Sequence, residues 1–498
     1  MPLMLDLDPA SSEPLHHQVY GRLREAILSG KLAVGSRLPS TRVLAADLDV
    51  SRNTILAAFA QLTAEGYLEG RVGSGTRVST SLPDAMLRAG GTASRPRSRA
   101  RGRLLSRRGT SITALPSWIS KVGGHGRPFA PGVTAFDQFP VEVWGRLIAR
   151  RWKRAGPWLF DYGDPAGYRP LREAIAAYLE TARGVRCVAD QVIVVSGSQQ
   201  ALDLAGRVLL DPGDTAWIED PGYVGARGAL VAAGARLTPV PIDDEGLDFN
   251  AAARLRTPRL VYTTPSYQFP LGVTMTLARR LAWLEWAHAS GVRIIEDDYD
   301  SEFRYGSRPL ASLQGLDDRD VVIYVGSFSK VLFPSLRLGY LVVPPPLVDA
   351  VVNARRYADG HAPIFPQAVL ADFMSQGHFD RYLRRIRTVA GERQQALVEA
   401  CHRELDGVLE VRPAEAGMHL VGWLAPNADD EHASRLAADH GVDAIALSTF
   451  SLRRRGRPGL VLGYAGIPEP AIRDGVRLLA LALTTKHARP GRRVAAAR

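Results

Sequence analysis

A stretch without an apolar pattern divides the chain and constrains its fold more than any other feature. Residues 82–116 are rich in glycine, serine, proline and arginine, which is the composition of a linker. About 80 residues precede this stretch and about 380 follow it, so the 498 residues are expected to form more than one core. We therefore predict a compact unit at 1–79, a flexible linker at 80–116, a large domain at 117–485 and a disordered basic tail at 486–498.

The basic excess of the chain lies in the two flexible segments. The formal net charge is +11, yet eight arginines and no acid lie between Arg88 and Arg108. The segment from Lys486 to Arg498 adds five more basic residues, so the remainder of the chain is slightly acidic. Flexible basic segments attract polyanions such as nucleic acid, although an arginine-rich solubilising spacer would have the same composition.

The sequence also argues against several classes of protein. No run approaches the ~18 uncharged apolar residues that a membrane span needs. The start MPLMLDLDPASSEP carries acids where a signal peptide carries basic residues. Two cysteines, Cys187 and Cys401, are too few for a disulfide framework or a cysteine-rich zinc site. We therefore expect a cytoplasmic protein with no membrane contact and no metal site.

The first 80 residues show the pattern of a helix-turn-helix followed by a small β-wing. Residues 14–30 repeat apolar side chains at helical spacing. Ser40 is placed to cap a second helix with Val43 facing the core, and Ser51 is placed to cap a third. Helices joined by so short a turn form a helix-turn-helix, and two short strands within residues 67–78 complete the unit.

The exposed start of the third helix has the chemistry to read DNA. Ser51, Arg52, Asn53 and Thr54 are donors and acceptors of the kind that reach base edges. Free amides at a helix start also bind phosphate. The alternative is a polar surface on a small helical adaptor.

This segment resembles the GntR-type winged helix over almost its whole length. The elements GKLAVGSRLPSTRVLA, VSRNT and EGYLEGRVGSGTRV occur in the order of that family. The resemblance implies that double-stranded DNA is contacted by the arginine of LPSTR, the first turn of the recognition helix and the wing tip. The positions in this chain are Arg42, Ser51, Arg52, Asn53, Thr54, Arg71 and Gly73.

The large domain alternates apolar runs of strand length with helical stretches. The strand-like runs are QVIVVSG, TAWIED, RLVYTTP, VRIIEDD and VVIYVGSFS. Such alternation is typical of an α/β fold with a mostly parallel sheet. Ligands bind at the carboxyl ends of the strands in these folds, so polar residues directly after the runs are candidates for a site.

One lysine of the large domain is placed for chemistry. The chain has only five lysines, and Lys330 is the only one between residues 154 and 485. It follows a core-like strand, beside Ser327 and Ser329 and seven residues before Arg337. A lysine so placed could form an imine while the hydroxyls and the guanidinium hold a phosphate. The alternative is an ordinary surface lysine.

Two further signals are weak when taken alone. Asp297 lies among acids at the end of an apolar strand, where a carboxylate either pairs with a pyridinium nitrogen or merely caps a helix. The turn at residues 196–200 leads from a strand into a helix, a geometry that presents free amides to a phosphate.

Taken together, the motifs resemble a fold-type I aminotransferase domain that uses pyridoxal 5′-phosphate. The motifs are SGSQQALDL, EDPGY, YTTPSYQFPLG, IIEDDYDSEFRY and SFSKVLFPSLRLGY. The resemblance runs from about Phe136 to about Leu483 and implies a mostly parallel central sheet with a smaller C-terminal subdomain. It also implies that Lys330 forms the Schiff base, Asp297 pairs with the pyridine nitrogen and Tyr299 lies close to the ring hydroxyl.

The same resemblance assigns further residues to the cofactor. Tyr223 matches the aromatic residue that stacks on the ring. Tyr162 matches a tyrosine that reaches the phosphate in the neighbouring subunit, which implies a homodimer with shared sites. The phosphate cup is matched by Ser198, Gln199, Ser327, Ser329 and Arg337.

The union of the two halves resembles the MocR/GabR family of bacterial regulators. The resemblance implies a cofactor-dependent transcription regulator that senses a small amine, an amino acid or vitamin B6, with little steady transamination. It also implies an operator with paired half-sites. The alternatives are an active aminotransferase with a DNA-binding head, and a DNA-binding protein whose large domain only dimerises.

Two departures from the aminotransferase pattern bear on the ligand. Phe269 stands where catalytic aminotransferases carry the asparagine of an NPTG element, so one hydrogen bond to the ring oxygen is expected to be missing. Val461 stands where an arginine clamps the substrate carboxylate. A replacement clamp could come from the preceding loop, which carries Arg454, Arg455 and Arg457. We therefore expect weak binding of amino acids, which a vitamin B6 sensor would tolerate.

Overall fold

The computed structural model divides the chain into two compact units, Met1–Leu104 and Leu105–Arg498. The predicted tail at 486–498 and most of the predicted linker lie outside the described residues. The described residues are 6–8, 11–71, 75–80, 82, 105–115, 127–305, 311–453 and 456–484.

The N-terminal unit contains the three helices and the two-stranded wing that the sequence predicts. Its elements are α1 Leu15–Leu28, α2 Thr41–Asp47, α3 Arg52–Ala64, β1 Leu68–Arg71 and β2 Gly75–Val78. The two strands pair antiparallel, with Leu68 opposite Val78. One apolar core, which includes Leu23 of α1 and Ile55 of α3, holds the unit together.

Two serine caps fix where α2 and α3 begin. The Ser40 hydroxyl accepts from the Val43 amide at 3.3 Å, and the Ser51 hydroxyl accepts from the Thr54 amide at 3.1 Å. The prediction that Val43 faces the core is wrong, because its side chain is half-exposed whereas Leu44 is fully buried. Neighbouring residues differ by about 100° around a helix, so the burial of Leu44 turns Val43 toward the surface.

The large unit begins with a short helix and continues as alternating strands and helices. Its α-helices are α4 Arg107–Thr113, α5 Val141–Lys153, α6 Arg169–Arg183, α7 Ser198–Leu209, α8 Val224–Ala233, α9 Phe249–Ala252, α10 Leu277–Ser290, α11 Leu313–Leu316, α12 Val348–Asp359, α13 Ile364–Ser375, α14 His378–Glu404, α15 Asp430–Asp439 and α16 Glu469–Thr484. Within the described residues, none of these helices combines the length and the apolar character that crossing a membrane requires.

The strands of the large unit form two sheets. They are β3 Val192–Val195, β4 Thr215–Asp220, β5 Arg236–Asp243, β6 Gly246–Leu247, β7 Leu260–Thr263, β8 Arg293–Asp298, β9 Val322–Ser327, β10 Gly339–Val342, β11 Glu410–Val411, β12 His419–Trp423, β13 Ile445–Ala446 and β14 Gly459–Gly463. The five strands that the sequence predicts are β3, β4, β7, β8 and β9, and all five are confirmed.

The central sheet has eight strands in the order β3-β10-β9-β8-β7-β4-β5-β6. Neighbours from β9 to β5 run parallel, whereas β10 is antiparallel to both β9 and β3. Strands β3 and β7 are buried at every residue, as expected for strands covered on both faces. The carboxyl ends of the parallel strands therefore meet at one edge, together with the start of the antiparallel β10.

A second, antiparallel sheet in the order β11-β12-β14-β13 forms the smaller C-terminal subdomain. Helices α14 and α16 pack on each other in this subdomain. The architecture is the predicted one, with a winged helix-turn-helix followed by a mostly parallel α/β domain and a smaller subdomain.

Candidate functional site

The loops at the carboxyl edge of the central sheet surround a cavity. Residues at or just after the ends of β3, β4, β7, β8 and β9 line it, as do residues just before β10. Nine of the ten cofactor residues predicted from the sequence line this cavity. They are Ser198, Gln199, Tyr223, Asp297, Tyr299, Ser327, Ser329, Lys330 and Arg337.

Asp297 presents an incompletely paired carboxylate to the cavity. Its Oδ2 accepts a hydrogen bond from the Tyr262 hydroxyl at 2.8 Å, while its buried Oδ1 has no partner among the described residues. Burial raises the pKa of Asp297 to about 7, against the lowering effect of the Tyr262 hydrogen bond. A cation beside Oδ1 would stabilise the ionised carboxylate, which is the role of a protonated ring nitrogen.

Lys330 follows β9 and is held in place by the backbone of a distant loop. Its Nζ donates to the Gly132 carbonyl at 3.0 Å. Gly132 has a φ of 78°, which favours glycine, and a Cβ at this position would lie 2.5 Å from Nζ and would displace the amine. Burial lowers the pKa of Lys330, although the carboxylates of Asp300 and Asp297 oppose this shift. A lowered pKa makes the amine more available as a nucleophile.

One end of the cavity is rich in hydrogen-bond donors. We call it the polar end, and it consists of Ser198, Gln199, Ser327, Ser329 and Arg337. Gly197, directly before α7, has a φ of 107°, a conformation that favours glycine, and it lies close to the Arg337 guanidinium. Arg337 has a φ of 51°, a left-handed conformation that non-glycine residues rarely adopt. Helix-start amides, hydroxyls and a guanidinium together can bind a phosphate.

The other end of the cavity is formed by Phe269, Met418 and His419, and we call it the apolar end. The Phe269 ring packs edge-on against Tyr223 at 6.1 Å and against Tyr299 at 5.9 Å between ring centroids. Burial lowers the pKa of His419 to about 4, so its imidazole is neutral at pH 7. This end therefore presents ring faces and a neutral imidazole rather than a charge.

The position at which the resemblance expects a carboxylate-binding arginine lies behind the apolar end of the cavity. Val461 on β14 is fully buried in an apolar cluster with Phe450 and Val421, and Phe269 packs against this cluster. The Phe269 and Phe450 rings meet edge-on at 5.0 Å. The cluster is part of the protein core, so the valine fills space that a charged side chain could not enter without cost.

The loop before β14 does not supply the predicted replacement clamp through Arg457. Its Nη1 lies 2.6 Å from Oε2 of Glu410, and its guanidinium lies 5.9 Å from the ring centroid of Trp423. Arg457 does not line the cavity. Arg454 and Arg455 lie outside the described residues.

The chemistry of this cavity fits pyridoxal 5′-phosphate. The polar end suits the phosphate, and Tyr223 offers a ring face between the two ends. Asp297 supplies an unpartnered acceptor for the ring nitrogen, and Lys330 supplies an amine. The phosphate, the ring face, the ring nitrogen and the carbonyl carbon of the cofactor thus each have a matching group in the cavity.

Tyr162 is the one predicted cofactor residue that does not line the cavity of its own chain. Its side chain is 93% exposed, and its ring lies 6.1 Å from that of His361. The assignment of Tyr162 to a neighbouring subunit stays a prediction.

The cavity is also lined by residues that the sequence-based prediction does not name as site residues, among them Tyr262, Gly132 and His419. Tyr262 lies on β7, next to the strand that carries Asp297, and a tyrosine near the end of a core strand is a signal that could have found it. Gly132 and His419 come from a loop and from the small sheet, where no local motif marks them.

The predicted DNA-binding residues of the helices gather at the starts of α2 and α3. Arg42, Arg52 and Asn53 are exposed, as contact with DNA requires. Thr54 is less exposed, and its hydroxyl lies 2.8 Å from that of Ser51, which caps α3. Arg52 and Asn53 therefore remain the most accessible residues of the first turn.

The wing carries the other two predicted DNA-binding residues. Arg71 is the last residue of β1, whereas Gly73 lies outside the described residues. Contact between these individual residues and DNA stays a prediction.

Comparison with known proteins assigns both units. The family described as bacterial regulatory proteins, gntR family, matches residues 15–78, and aminotransferase class I and II matches residues 129–468. The crystal structure of LysN, the alpha-aminoadipate aminotransferase of Thermus thermophilus, matches with a TM-score of 0.70 and 33% identity. The match covers 76% of this chain and 97% of LysN.

Relatives that contain both units extend over nearly the whole chain. The probable rhizopine catabolism regulatory protein MocR of Rhizobium meliloti is 42% identical over 99% of each chain. The transcriptional regulator TauR of Rhodobacter capsulatus is 36% identical over 96% of this chain and 98% of its own. The chain therefore belongs to the MocR family of transcription regulators, in which a GntR-type DNA-binding helix-turn-helix is fused to an aminotransferase class I domain.

Proposed function

We propose that this regulator binds pyridoxal 5′-phosphate at Lys330 and changes its DNA binding when a small primary amine enters the cavity. The observation that carries the proposal is the carboxylate of Asp297, whose buried Oδ1 has no partner among the described residues. A buried acceptor without a donor is costly, and a ring N–H would satisfy it. The nearby amine of Lys330 and the polar end complete a site with the chemistry of this cofactor.

The cofactor supplies an electrophilic carbonyl carbon that condenses with primary amines. The residues of the chain would hold it in one orientation. Arg337 and the serines of the polar end would bind the phosphate, Tyr223 would cover the ring, and Asp297 would keep the ring nitrogen protonated. Lys330 would supply the amine that a ligand amine must displace.

We infer that two copies of the chain form a homodimer that binds an operator with paired half-sites. Exposed aromatic side chains support this inference. Trp152 is 61% exposed, Phe160 is 69% exposed, and the exposed Tyr162 follows two residues after Phe160. A ligand alters DNA binding only if it binds two arrangements of the dimer with different affinity. The predicted segment 1–79 would then bind the operator, and the predicted segment 80–116 would connect it to the large domain.

The absorbance spectrum of the purified full-length protein with added pyridoxal 5′-phosphate tests cofactor binding. We expect a visible band that resists dialysis in the wild type and in Lys153→Ala, whose exposed lysine is the matched control. Lys330→Ala should lose this band. A band that persists in Lys330→Ala would place the attachment elsewhere and contradict the proposal.

Binding to DNA that the protein selects from a pool of random sequences tests the predicted DNA-binding unit. Arg52→Ala should lose sequence-specific binding while it keeps the visible band, because Arg52 lies on the exposed start of α3. Arg22→Ala, which removes an exposed arginine of α1, is the control and should bind normally. Normal binding by Arg52→Ala would contradict the assignment of the recognition helix.

The second candidate is an aminotransferase that carries a DNA-binding head. It is favoured by the 2-aminoadipate transaminase of Thermus thermophilus, which is 34% identical over 71% of this chain. Steady-state assays with a panel of amino donors and keto acids separate the two functions. Sustained turnover with several donors would favour the enzyme, and a spectral response without turnover would favour the regulator.

A further inference from the structure

The apolar end of the cavity differs from what a site for amino acids requires. Among the described residues, the basic side chains that line the cavity are Lys330, Arg337 and His419. Lys330 is assigned to the cofactor, and Arg337 belongs to the polar end. The imidazole of His419 is neutral because burial lowers its pKa to about 4. No cation is therefore left at the apolar end of the described cavity.

Other arginines near the apolar end do not line the cavity. Arg227 on α8 is buried, and its Nη2 donates to the backbone carbonyls of Phe450 and Gly222, while its Nε has no partner among the described residues. Arg457 pairs with Glu410, away from the cavity. A ligand carboxylate at the apolar end would lose its water without gaining a cation from the described residues. Burial of an unpaired charge is strongly unfavourable.

The same end does offer one neutral hydrogen-bond acceptor. The Nε2 of His419 lies 3.0 Å from the Pro270 carbonyl oxygen, and because a carbonyl only accepts, Nε2 must carry the hydrogen. Nδ1 of the neutral ring is then an acceptor, and it has no hydrogen-bond partner among the described residues. A ligand hydroxyl could donate to it, whereas a ligand carboxylate could not.

We propose that the effector is a primary amine without a carboxylate, and that a hydroxyl on its body donates to Nδ1 of His419. This inference rests on the proposed function, since it names the class of amine that the site takes. It follows from three observations on the described residues: no cation lines the apolar end, the nearby arginines Arg227 and Arg457 do not line the cavity, and Nδ1 of His419 has no hydrogen-bond partner.

Matched pairs of an amino acid and its decarboxylated amine test the first part. The full-length protein loaded with pyridoxal 5′-phosphate is titrated with L-serine or ethanolamine, and with L-leucine or 3-methylbutylamine, while the shift of the visible band is followed. The same titrations of free pyridoxal 5′-phosphate correct for the intrinsic reactivity of each compound. We expect each amine to bind at least about tenfold more tightly than its amino acid after this correction.

The possible failures of this experiment can be told apart. Equal or tighter binding of the amino acids would overturn the carboxylate-free class and leave amine sensing intact. A band that no compound shifts would overturn amine sensing itself and the inference with it.

Ethanolamine and propylamine test the hydroxyl contact. The wild type should bind ethanolamine about fivefold more tightly than propylamine, which corresponds to one net hydrogen bond. This preference should vanish in His419→Phe and persist in His402→Phe, which changes an exposed histidine of α14 instead. An unchanged preference in His419→Phe would overturn the assignment of His419, even if the carboxylate-free class holds.

Discussion

The two ends of the cavity are built in different ways. The polar end comes from short loops that directly follow β3 and β9 or precede β10, so its residues lie close to strand ends in the sequence. The apolar end comes from packing, because Phe269 rests on Phe450 and on Val461 of the small sheet. The polar end offers donors that suit a phosphate, whereas the apolar end of the cavity is backed directly by the protein core.

The two ends of the cavity place different demands on an aminotransferase-like domain. Holding a phosphate requires only the donors of the polar end, which local motifs supply. Clamping a substrate carboxylate requires a buried cation, and the described part of the apolar end has none. Changes confined to the apolar end would therefore weaken binding of amino acids without altering the donors for a phosphate.

The largest expected effect is a loss of stability caused by a change at the apolar end. Phe450→Ala removes a ring that is 1% exposed and should cost about 3–5 kcal/mol in the free energy of unfolding, because a cavity remains. Urea unfolding followed by tryptophan fluorescence reports on the large unit, since the N-terminal unit contains no tryptophan. The affinity for the cofactor should change little in this variant. A large loss of affinity at unchanged stability would show that the apolar end also determines cofactor binding, which contradicts the distinction between the ends.

The next effect is at the polar end and falls on binding. Arg337→Ala should weaken binding of pyridoxal 5′-phosphate about 100-fold, because a charge-assisted contact to the phosphate is lost. Arg337→Gly should weaken binding equally but stabilise the cofactor-free protein by up to about 1 kcal/mol, since glycine accepts a φ of 51° without strain. Equilibrium dialysis and urea unfolding measure the two quantities. Full cofactor affinity in both variants would contradict the assignment of the polar end.

The common location of the polar-end residues is also what the sequence predicts well. These residues belong to motifs that follow recognisable strands, and the strands are recognisable because burial on both faces makes them continuously apolar. The same logic places Asp297 at the end of β8. The location of a candidate residue is therefore predictable where the residue and its structural element are neighbours in the chain.

Prediction fails where the fold brings distant segments together. Gly132 meets Lys330 across 198 residues, and nothing local in the sequence shows that a Cβ there would collide with the amine. His419 reaches the cavity from the small sheet, and Arg457 turns to Glu410 instead of the ligand. Such contacts depend on tertiary packing, which spacing along a sequence does not encode.

Asp297 belongs to neither end as defined above, and its titration shows whether the cofactor-free cavity carries an uncompensated carboxylate. Its folded pKa of about 7 exceeds the ordinary 3.8, so its contribution to stability is complete below pH 3.8 and is lost as the pH rises through 7. Relative to Asp297→Asn, the cofactor-free wild type should lose about 1.4 kcal/mol per pH unit in this window. Urea unfolding at several pH values measures this difference, and bound cofactor should flatten it. Parallel curves for the two proteins would show that the carboxylate is already compensated.

The smallest effect tests the one hydrogen bond that Asp297 already makes. Tyr262→Phe removes the donor to Oδ2 and should cost about 1 kcal/mol at neutral pH, because the ionised carboxylate loses its only partner among the described residues. That hydrogen bond lowers the pKa of Asp297, so its loss should move the upper limit of the titration above pH 7. The control is Tyr357→Phe, which alters a tyrosine that is 87% exposed. If Tyr262→Phe instead moves the limit downward, the carboxylate is stabilised by something other than this hydroxyl. A cation that contacts Asp297 in the cavity would then be expected.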